Sequence, residues 1–423
     1  SLGLPLCLGA ILRLPFSPQI FSFANLGMLA LIVVLASLPF FFAGLFISLL
    51  YICYREHVSR LYASDLLGAA VGCLLAVYLL GSVGATLAPL AASVLFLMSA
   101  ILSGPAISRR AFRIAAVCCA TALVMVPITG WLKLESVKGH AETDLEFEKW
   151  NVFSRVAVSS IGERKVIHID ADAATEIVSS QSRKAGDLEK LAGITRLVYE
   201  IRRNSTALVI GPGGGREVAA ALMTGHEVTG VEINPIIVDD VMSSRYAAYS
   251  GDLYRSQHVR IVTADARSFL ERTTDQYDVI QANAVDTWAA VSGGGFTLSE
   301  SYLYTVEAFE SYFRHLTDDG VLTLGRWVFN PPQQLLRAVG VTLEVMDRHD
   351  PGSYSGRFFL ATDPSYQQGG GNPGVLLIKK KPFTDSELQA LRRAAAVSHY
   401  EVLYDPGQPV SNPFGELIRS KDR

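Results

Sequence analysis

Charged residues are scarce in the first third of this chain. Residues 1–132 consist mainly of apolar stretches, whereas residues 133–423 have the mixture of polar and apolar residues that is usual in a globular protein. An ordinary water-soluble domain is not expected to contain a segment that is both this long and this apolar. The composition therefore predicts a multi-pass membrane domain at 1–132, followed by soluble units.

Cysteine is absent from residues 133–423, and the chain has no excess of positive charge. All five cysteines lie in the apolar part without the spacing of a zinc site, so we expect buried small apolar residues and no metal. The net charge of −3 gives no indication of a nucleic-acid partner. The cysteines are Cys7, Cys53, Cys73, Cys118 and Cys119.

Four apolar stretches are long enough to cross a hydrocarbon layer of about 30 Å. Basic residues follow the first stretch and precede the fourth, and the positive-inside rule places both basic loops in the cytoplasm. The chain is thus predicted to be an inner-membrane protein in contact with the lipid bilayer, with residues 133 onward on the outer side. The stretches are Leu26–Tyr54, Tyr62–Leu80, Gly84–Leu102 and Phe112–Leu132, and the basic residues are Arg55, His57, Arg60, Arg109, Arg110 and Arg113.

Two patterns predict the architecture of the soluble part. Alternating residues at 150–170 favour a β hairpin within a small β-rich unit at 140–200. From 201 to 423, apolar strands alternate with helical segments, which is typical of an α/β domain with a doubly wound parallel sheet. The expected elements of that domain include strands at 208–210, 228–233, 260–262, 277–280, 320–324 and 375–379 and a helix at 304–316.

A glycine-rich turn is the most informative motif of the soluble part. The strand at 208–210 runs into Gly211-Pro212-Gly213-Gly214-Gly215, and Glu232 follows Gly211 by 21 residues, near the end of the next strand. Glycines allow the backbone to turn tightly and to approach a ligand, and a carboxylate at the second strand can accept ribose hydroxyls. A dinucleotide motif requires glycine at 216, where this chain has Arg216. The spacing therefore favours an adenosyl ligand of the S-adenosylmethionine type.

Further polar residues follow later strands of the predicted sheet. Asp265 follows the strand at 260–262, and Asn283 and Asp286 follow the strand at 277–280. Ligands of such sheets bind beyond the carboxyl ends of the strands. We therefore expect these side chains to converge with the glycine turn and Glu232 on one crevice.

Several segments in this order resemble the spermidine synthase family. They are WNVFSR at 150–155, LVIGPGGGREV at 208–218, VEIN at 231–234, TADAR at 263–267 and LSESYLYTVEAFESYF at 298–313. Together with the apolar motifs LPFFFAGLFISL and RLYASDLLGAAVGCLLA, they are similar to the bacterial branch in which a spermidine synthase-like domain follows transmembrane helices. The resemblance covers most of the chain.

The resemblance implies a small β domain on a Rossmann domain of the class I methyltransferase type. It implies S-adenosylmethionine or decarboxylated S-adenosylmethionine as a substrate, without a metal. The adenosyl ligand's tail would lie on Gly211, Gly213, Gly214 and Gly215, its ribose on Glu232, and its adenine beside Asp265 and Ala266.

The chain departs from the family at the reacting groups. Members that transfer aminopropyl groups have an Asp-Ser-Ser-Asp-Pro run after the fourth strand, and its first acid helps to deprotonate the amine. Here that acid is replaced by Asn283, which cannot act as a base, while Asp286 stands at the second acidic position. We expect Asp286 to orient or deprotonate a nucleophile, with Tyr304 and Tyr302 as further candidates, and expect no synthesis of spermidine itself.

Two functions remain open from the sequence. One is a membrane-anchored transferase of methyl or aminopropyl groups. The other is a non-catalytic subunit of a membrane complex, associated with other subunits or with a second copy of the chain. The outer-side topology favours the subunit, because adenosyl ligands are made in the cytoplasm, whereas the glycine turn with Glu232 and Asp265 favours the transferase.

Overall fold

The computed structural model describes most of the chain and divides it into two compact units. The described residues are 3–17, 22–103, scattered positions between 114 and 141, 144–171, 173–285, 302–350, 352–366, 371–408 and 411–420. One unit includes Ser1–Ile161 and His168–Ala174, and the other includes Gly162–Ile167 and most of the chain from Thr175 onward. The domain boundaries expected from the sequence, at 132, 140–200 and 201, stay predictions.

Apolar helices form the first part of the first unit. They are α1 (Gly3–Leu12), α2 (Phe23–Cys53), α3 (Val58–Val83) and α4 (Ala88–Ser103). The hydroxyl of Ser22 caps α2 by accepting the amide N–H of Asn25 at 3.1 Å. Neither α2 nor α3 has a buried residue, although both consist mainly of apolar residues.

Two of these helices have the length and composition of a membrane span. The first covers 31 residues at Phe23–Cys53, and the second covers 29 residues at Arg55–Val83, which include a 3₁₀ turn before α3; their most apolar 18-residue stretches have mean hydropathies of 2.6 and 2.2. These two correspond to the first and second stretches expected from the sequence. The third stretch is described as α4, with 16 residues, and most of the fourth lies outside the described residues.

Short strands follow the helices. Strand β1 (Ser136–Val137) pairs with β2 (His140–Ala141), and β3 (Leu145–Trp150) pairs antiparallel with β4 (Arg155–Ile161). Strands β5 (Arg164–Ile169) and β6 (Ala173–Glu176) come next. The predicted hairpin at 150–170 is present as β4 and β5. It turns at Gly162, whose φ is +61°, and the N–H of Asp170 donates to the carbonyl of Arg155 at 3.0 Å.

Arg155 anchors the beginning of this hairpin. Its side chain is 2% exposed, and its Nε donates to Oε1 of Glu148 at 2.8 Å. The same oxygen accepts the indole N–H of Trp150 at 3.0 Å. The indole ring of Trp150 lies against Gly84, so a Cβ placed on Gly84 would be 3.0 Å from the ring. Strand β3 therefore packs beside the turn between α3 and α4.

An eight-stranded sheet forms the centre of the second unit. Its order is β14-β12-β13-β11-β10-β7-β8-β9. The five strands from β11 to β9 are mutually parallel, whereas β13 is antiparallel to both β11 and β12. The strands are β7 (Thr206–Ile210), β8 (Glu227–Glu232), β9 (Val259–Thr263), β10 (Tyr277–Asn283), β11 (Leu316–Val328), β12 (Phe358–Thr362), β13 (Asn372–Lys379) and β14 (Glu401–Tyr404).

The expected all-parallel arrangement is therefore wrong at one side of the sheet. The sequence pattern of Val375–Lys379 correctly predicts a strand, but hydrophobic periodicity is the same for both strand directions. The direction of a strand depends instead on the neighbouring strands with which it pairs. Here the chain inserts β13 between β11 and β12, so that the sheet is mixed.

Helices cover both faces of this sheet, which explains why its central strands are apolar on both sides. Helices α10 and α11 pack on one face, where Ile280 and Ala282 share a buried cluster with Phe309 and Leu343. The other face meets a 3₁₀ helix at Gly193–Glu200 and helix α7. The helices are α5 (Ser180–Lys184), α6 (Leu188–Ala192), α7 (Arg216–Met223), α8 (Ala247–Ser250), α9 (Ala266–Leu270), α10 (Val306–His315), α11 (Gln333–His349), α12 (Asp385–Val397) and α13 (Pro413–Ser420).

A charged cluster joins α12 to the sheet. Lys379, at the end of β13, is fully buried, and its ammonium donates to both carboxylate oxygens of Glu387 at 2.8 and 2.9 Å. Arg202 donates to the same carboxylate at 2.6 Å, and Asp319 accepts from Lys379 at 3.0 Å. Glu387 also completes a capping box with Thr384 at the start of α12.

Candidate ligand site at the carboxyl edge of the sheet

The glycine turn links β7 to α7 through backbone angles that suit glycine. The φ angles of Gly211, Gly213 and Gly215 are +65°, +49° and +88°. Gly214 has an ordinary φ but little space, because a Cβ there would overlap with the carbonyl group of Glu176. The turn therefore needs glycine for conformation at three positions and for close packing at the fourth.

Glu232 contacts this turn directly from the end of β8. Its Oε2 accepts the N–H of Gly213 at 3.2 Å, and its Oε1 accepts the N–H of Asn234 at 3.1 Å. The phenol of Tyr254 donates to the carbonyl of Gly213 at 2.7 Å, so the peptide groups around Gly213 are held on both sides. The backbone amide of Ile233 also donates to this carboxylate. An ionised carboxylate can accept about four hydrogen bonds, so acceptor capacity is left for a ligand beyond these three amides.

The electrostatics of Glu232 follow from its burial. The residue is 6% exposed. Desolvation raises its pKa above the ordinary glutamate value, and the backbone hydrogen bonds from Asn234 and Gly213 oppose that rise without cancelling it. Its hydrogen-bond donors in the described part of the chain are neutral backbone amides. A pair of ligand hydroxyls would favour the ionised form of this carboxylate.

Asp265 follows β9 and caps the short helix α9. Its Oδ1 accepts the N–H of Ser268 at 2.7 Å, and the phenol of Tyr302 also donates to this carboxylate. Burial raises the pKa of Asp265, but these hydrogen bonds outweigh burial and lower it below the ordinary value. Ala266, the first residue of α9, is buried in the core. Asp265 thus has a local capping role in addition to any role toward a ligand.

Asn283 ends β10, next to β7 in the sheet. Its amide Nδ2 donates to Oε1 of Glu217 at 3.3 Å, and Glu217 lies in the first turn of α7, just after the glycine turn. The amide oxygen of Asn283 is buried and has no hydrogen-bond partner among the described residues. An unpartnered buried acceptor costs about 1–3 kcal/mol, which makes this oxygen a candidate for receiving a donor from a ligand.

The two candidate tyrosines lie in a 3₁₀ turn at Tyr302–Tyr304, before α10. Tyr302 donates its phenol hydrogen to the carboxylate of Asp265. The ring of Tyr304 lies under the guanidinium group of Arg326, whose central carbon is 3.6 Å from the ring centroid. Arg326 extends from β11 immediately after Gly325, the pairing partner of Asn283.

The strand order places these residues in a defined sequence along one edge. The carboxyl ends of β9, β8, β7 and β10 are neighbours in this order. Asp265 follows β9, Glu232 ends β8, the glycine turn follows β7, and Asn283 ends β10. Gly213 and Glu232 are in direct contact, and Asn283 contacts the helix that begins at the turn. The predicted residue Asp286 lies outside the described residues.

Three residues of this edge were not predicted from the sequence. Glu217 had a usable signal, because it is an acid in the first turn of the helix after the glycine motif. Tyr254 and Arg326 had none, since their positions depend on how a distant turn and a distant strand return to the edge. Within the described ranges, no group of three or more metal-ligating side chains is present.

Two cavities of the second unit lie away from this edge. One, of about 360 Å³, is at the amino ends of the parallel strands and is lined by Thr206, Glu227 and Tyr277. The other, of about 380 Å³, lies between α10 and α11, beside Phe313 and Met346. The carboxyl edge is therefore not the place of either cavity in the described residues.

Comparison with known proteins gives similarities of structure alone. No family model and no curated protein matches the chain. A spermidine synthase in complex with the transition-state analogue AdoDATO is 13% identical, with a TM-score of 0.40, over 66% of this chain and 84% of that one. A probable spermidine synthase from Corynebacterium glutamicum is 16% identical, with a TM-score of 0.46, over 66% of this chain and 95% of that one.

A third similar structure is spermidine synthase from Thermotoga maritima. It is 13% identical, with a TM-score of 0.39, over 66% of this chain and 84% of that one. At these values the likeness concerns the fold alone, and the roles of individual residues depend on the contacts of this chain itself.

Proposed function

We propose that this chain is a membrane-anchored transferase that binds S-adenosylmethionine or its decarboxylated relative. The observation that carries the proposal is the contact between Glu232 and the glycine turn at Gly213, at the carboxyl edge of a mixed α/β sheet. That contact places a carboxylate beside a backbone turn at the position where sheets of this kind bind ligands.

Each part of the ligand has a matching group in this proposal. The hydroxyls of the ribose donate to Glu232, which retains acceptor capacity beyond its backbone amide donors. The adenine lies over Asp265 and Ala266, at the neighbouring strand β9. The tail lies along the turn formed by Gly211, Gly213, Gly214 and Gly215.

The chemistry that this ligand supplies is alkyl transfer from a sulfonium. The lone pair of a nucleophile attacks the carbon next to sulfur, the carbon–sulfur bond breaks, and its electron pair stays on sulfur as a neutral thioether. The nucleophile then loses a proton. The main contribution of the protein is to hold the two reactants in line, with Asp286 as the proposed group that orients the nucleophile or accepts its proton.

The second candidate function is a non-catalytic subunit of a membrane complex, bound to other subunits or to a second copy. The neutral side chain at Asn283 favours it, because an amide cannot take a proton from a nucleophile. Against it stand the glycine turn and the buried carboxylate of Glu232, which accepts from neutral amides. A scaffold has no need of these features, and burial raises the energy of that charge.

Ligand binding tests the proposal. Calorimetry on the detergent-solubilised full chain would use S-adenosylmethionine, S-adenosylhomocysteine and methylthioadenosine. We expect binding to the wild type, and Glu232→Ala should weaken it by about 2 kcal/mol or more, because it removes two hydrogen bonds to a charged group. The matched control is Glu227→Ala, which removes an exposed glutamate from the other end of the same strand. Absence of binding of all three at millimolar concentration would remove the basis of the transferase.

We further propose that α2 and α3 cross the membrane and that the β hairpin lies on the outer side. Helix α3 is 26 residues long, or about 39 Å at 1.5 Å per residue, so its ends reach opposite sides of the bilayer. Arg55 and Arg60 lie at its first end, and Gly84 at its last. Because Trp150 packs against Gly84, strand β3 lies at the end remote from the basic residues.

A cysteine at Glu163, in the exposed turn of the hairpin, tests this topology. The variant is made in a chain lacking the five native cysteines and is probed in intact cells with an impermeant thiol reagent. Labelling of intact cells is the expected result. Labelling only after lysis would place the hairpin in the cytoplasm and contradict the topology, and it would also remove the main objection to an active transferase.

A further inference from the structure

Glu217 lies at the edge of the sheet formed by the carboxyl ends of the parallel strands. Its carboxylate has no cationic partner in the described part of the chain. It lies in the first turn of α7, and no ion pair among the described residues includes it. Its neighbour Arg216 is exposed. Burial is the main reason for the raised pKa of the phenols of Tyr199 and Tyr254, and the charge of Glu217 raises both further. The carboxylate of Glu217 thus lies close enough to both buried phenols to affect them.

Asn283 adds a second acceptor at the same place. Its amide nitrogen donates to Glu217, so its amide oxygen is left on the other side, buried and without a hydrogen-bond partner in the described ranges. The two side chains together present a carboxylate and an amide oxygen. A group that both donates hydrogen bonds and carries positive charge would satisfy both of them.

The strand order indicates which part of the ligand reaches this pair. Adjacent strands are about 4.8 Å apart, and the edge runs from Asp265 at β9 to Glu232 at β8, then to the turn after β7 and to Asn283 after β10. A ligand with its ribose on Glu232 and its adenine beside β9 extends its remaining atoms toward β7 and β10. In S-adenosylmethionine those atoms include the sulfonium and the tail ammonium.

We propose that Glu217 and Asn283 form the subsite for the positive charge of the adenosyl ligand. This proposal rests on the proposed function. It places the negative charge of this subsite on helix α7, next to the neutral amide at position 283. The neutral residue at 283 then has a physical reason, because a second carboxylate about 3 Å from Glu217 would keep a proton on one of the two.

The test compares a charged ligand with an uncharged one. S-adenosylmethionine carries the sulfonium and a tail with an ammonium and a carboxylate, whereas methylthioadenosine has the same nucleoside without any of these charges. Affinities of both are measured by calorimetry on the full chain in detergent, for the wild type, Glu217→Gln, Asn283→Asp and the double variant Glu217→Gln/Asn283→Asp. Thermal unfolding of each variant verifies that it is folded.

Glu217→Gln should weaken S-adenosylmethionine about tenfold and leave methylthioadenosine within twofold. The double variant moves the carboxylate from residue 217 in helix α7 to residue 283 at the end of strand β10. It should restore most of the preference for the charged ligand, and a merely structural role of Glu217 would not predict this recovery. Equal losses for both ligands, or an unchanged ratio in Glu217→Gln, would overturn the subsite while the adenosyl site stands. Failure of the wild type to bind either ligand would instead refute the proposed function and the subsite with it.

Discussion

Removing the charge of Glu387 should destabilise the second unit strongly. Glu387 is 11% exposed and accepts hydrogen bonds from Lys379 and Arg202, and Lys379 is fully buried. In Glu387→Gln the side chain keeps its shape, but the carboxylate that remains beside Lys379 is that of Asp319, which is 68% exposed. Loss of one partner of a buried ion pair costs about 3–5 kcal/mol. We expect about 3 kcal/mol, because Asp319 and water partly compensate.

The pH dependence gives this expectation a second readout. Burial raises the pKa of Glu387, but hydrogen bonds from Lys379, Thr384 and Arg202 outweigh it and lower the pKa below 4.5. A lowered folded-state pKa contributes stability above the unfolded-state pKa, and this contribution is lost as the pH falls through the folded-state value. The wild type and Glu387→Gln should therefore differ fully at pH 7. The difference should begin to shrink as the pH falls below the unfolded-state pKa of about 4.3, and it should vanish below the lowered folded-state pKa.

Thermal unfolding of the full chain in detergent, followed by circular dichroism, measures the effect. At roughly 2–4 °C per kcal/mol for a domain of this size, Glu387→Gln should lower Tm by about 6–12 °C at pH 7. The matched control is Glu416→Gln, which changes an exposed glutamate in the first turn of α13 and should shift Tm by about 2 °C or less. A loss below about 1 kcal/mol for Glu387→Gln, or a difference that persists at low pH, would refute the reasoning.

Two further outcomes are expected at the candidate site. Gly214→Ala should destabilise the unit by about 2–3 kcal/mol and abolish adenosyl-ligand binding, because the new Cβ meets the backbone carbonyl of Glu176, which cannot turn away as a side chain could. Denaturant unfolding would measure the stability, and calorimetry would measure the binding. A variant as stable as the wild type would contradict the close packing at Gly214. Purified protein given decarboxylated S-adenosylmethionine and putrescine should form no spermidine above background by mass spectrometry. The reason is that general-base assistance, worth about 100- to 10,000-fold, is absent at Asn283. Clear turnover would restore the assignment as an aminopropyl transferase.

Sequence patterns predicted the elements of the second unit better than their arrangement. The apolar runs that became β7, β10 and β11 are visible because both faces of these strands are covered, so that polar residues are excluded over several positions. Strand direction leaves no such mark. Strand β13 lies between β12 and β11 because the chain turns back after β12. No local sequence pattern encodes this position in the sheet.

The same distinction applies to the site. The glycine turn and Glu232 were predictable because tight backbone geometry and the length of a βαβ unit constrain the sequence locally. The pairing of Glu217 with Asn283 was not, since the two residues are 66 positions apart and meet only because β10 lies beside β7. The local role of Asp265 as a helix cap was also overlooked, although an acid three residues before Ser268 is an ordinary capping position.

Methylthioadenosine binding should weaken in acid in a way that identifies Glu232 as its receptor. The ionised carboxylate accepts ribose hydroxyls in addition to the amides of Gly213 and Asn234, and protonation removes part of this acceptor capacity together with the charge. Burial raises the pKa of Glu232 above 4.5, whereas hydrogen bonds hold the pKa of Asp265 below 3.8. Lowering the pH from 7 therefore protonates Glu232 first, and affinity should fall by up to tenfold per pH unit while Asp265 is still ionised. Calorimetry between pH 7 and pH 4.5 should show this fall in the wild type and a weak, flat affinity in Glu232→Gln. An affinity that stays constant in the wild type over this range would mean that the ligand does not bind to the carboxylate of Glu232.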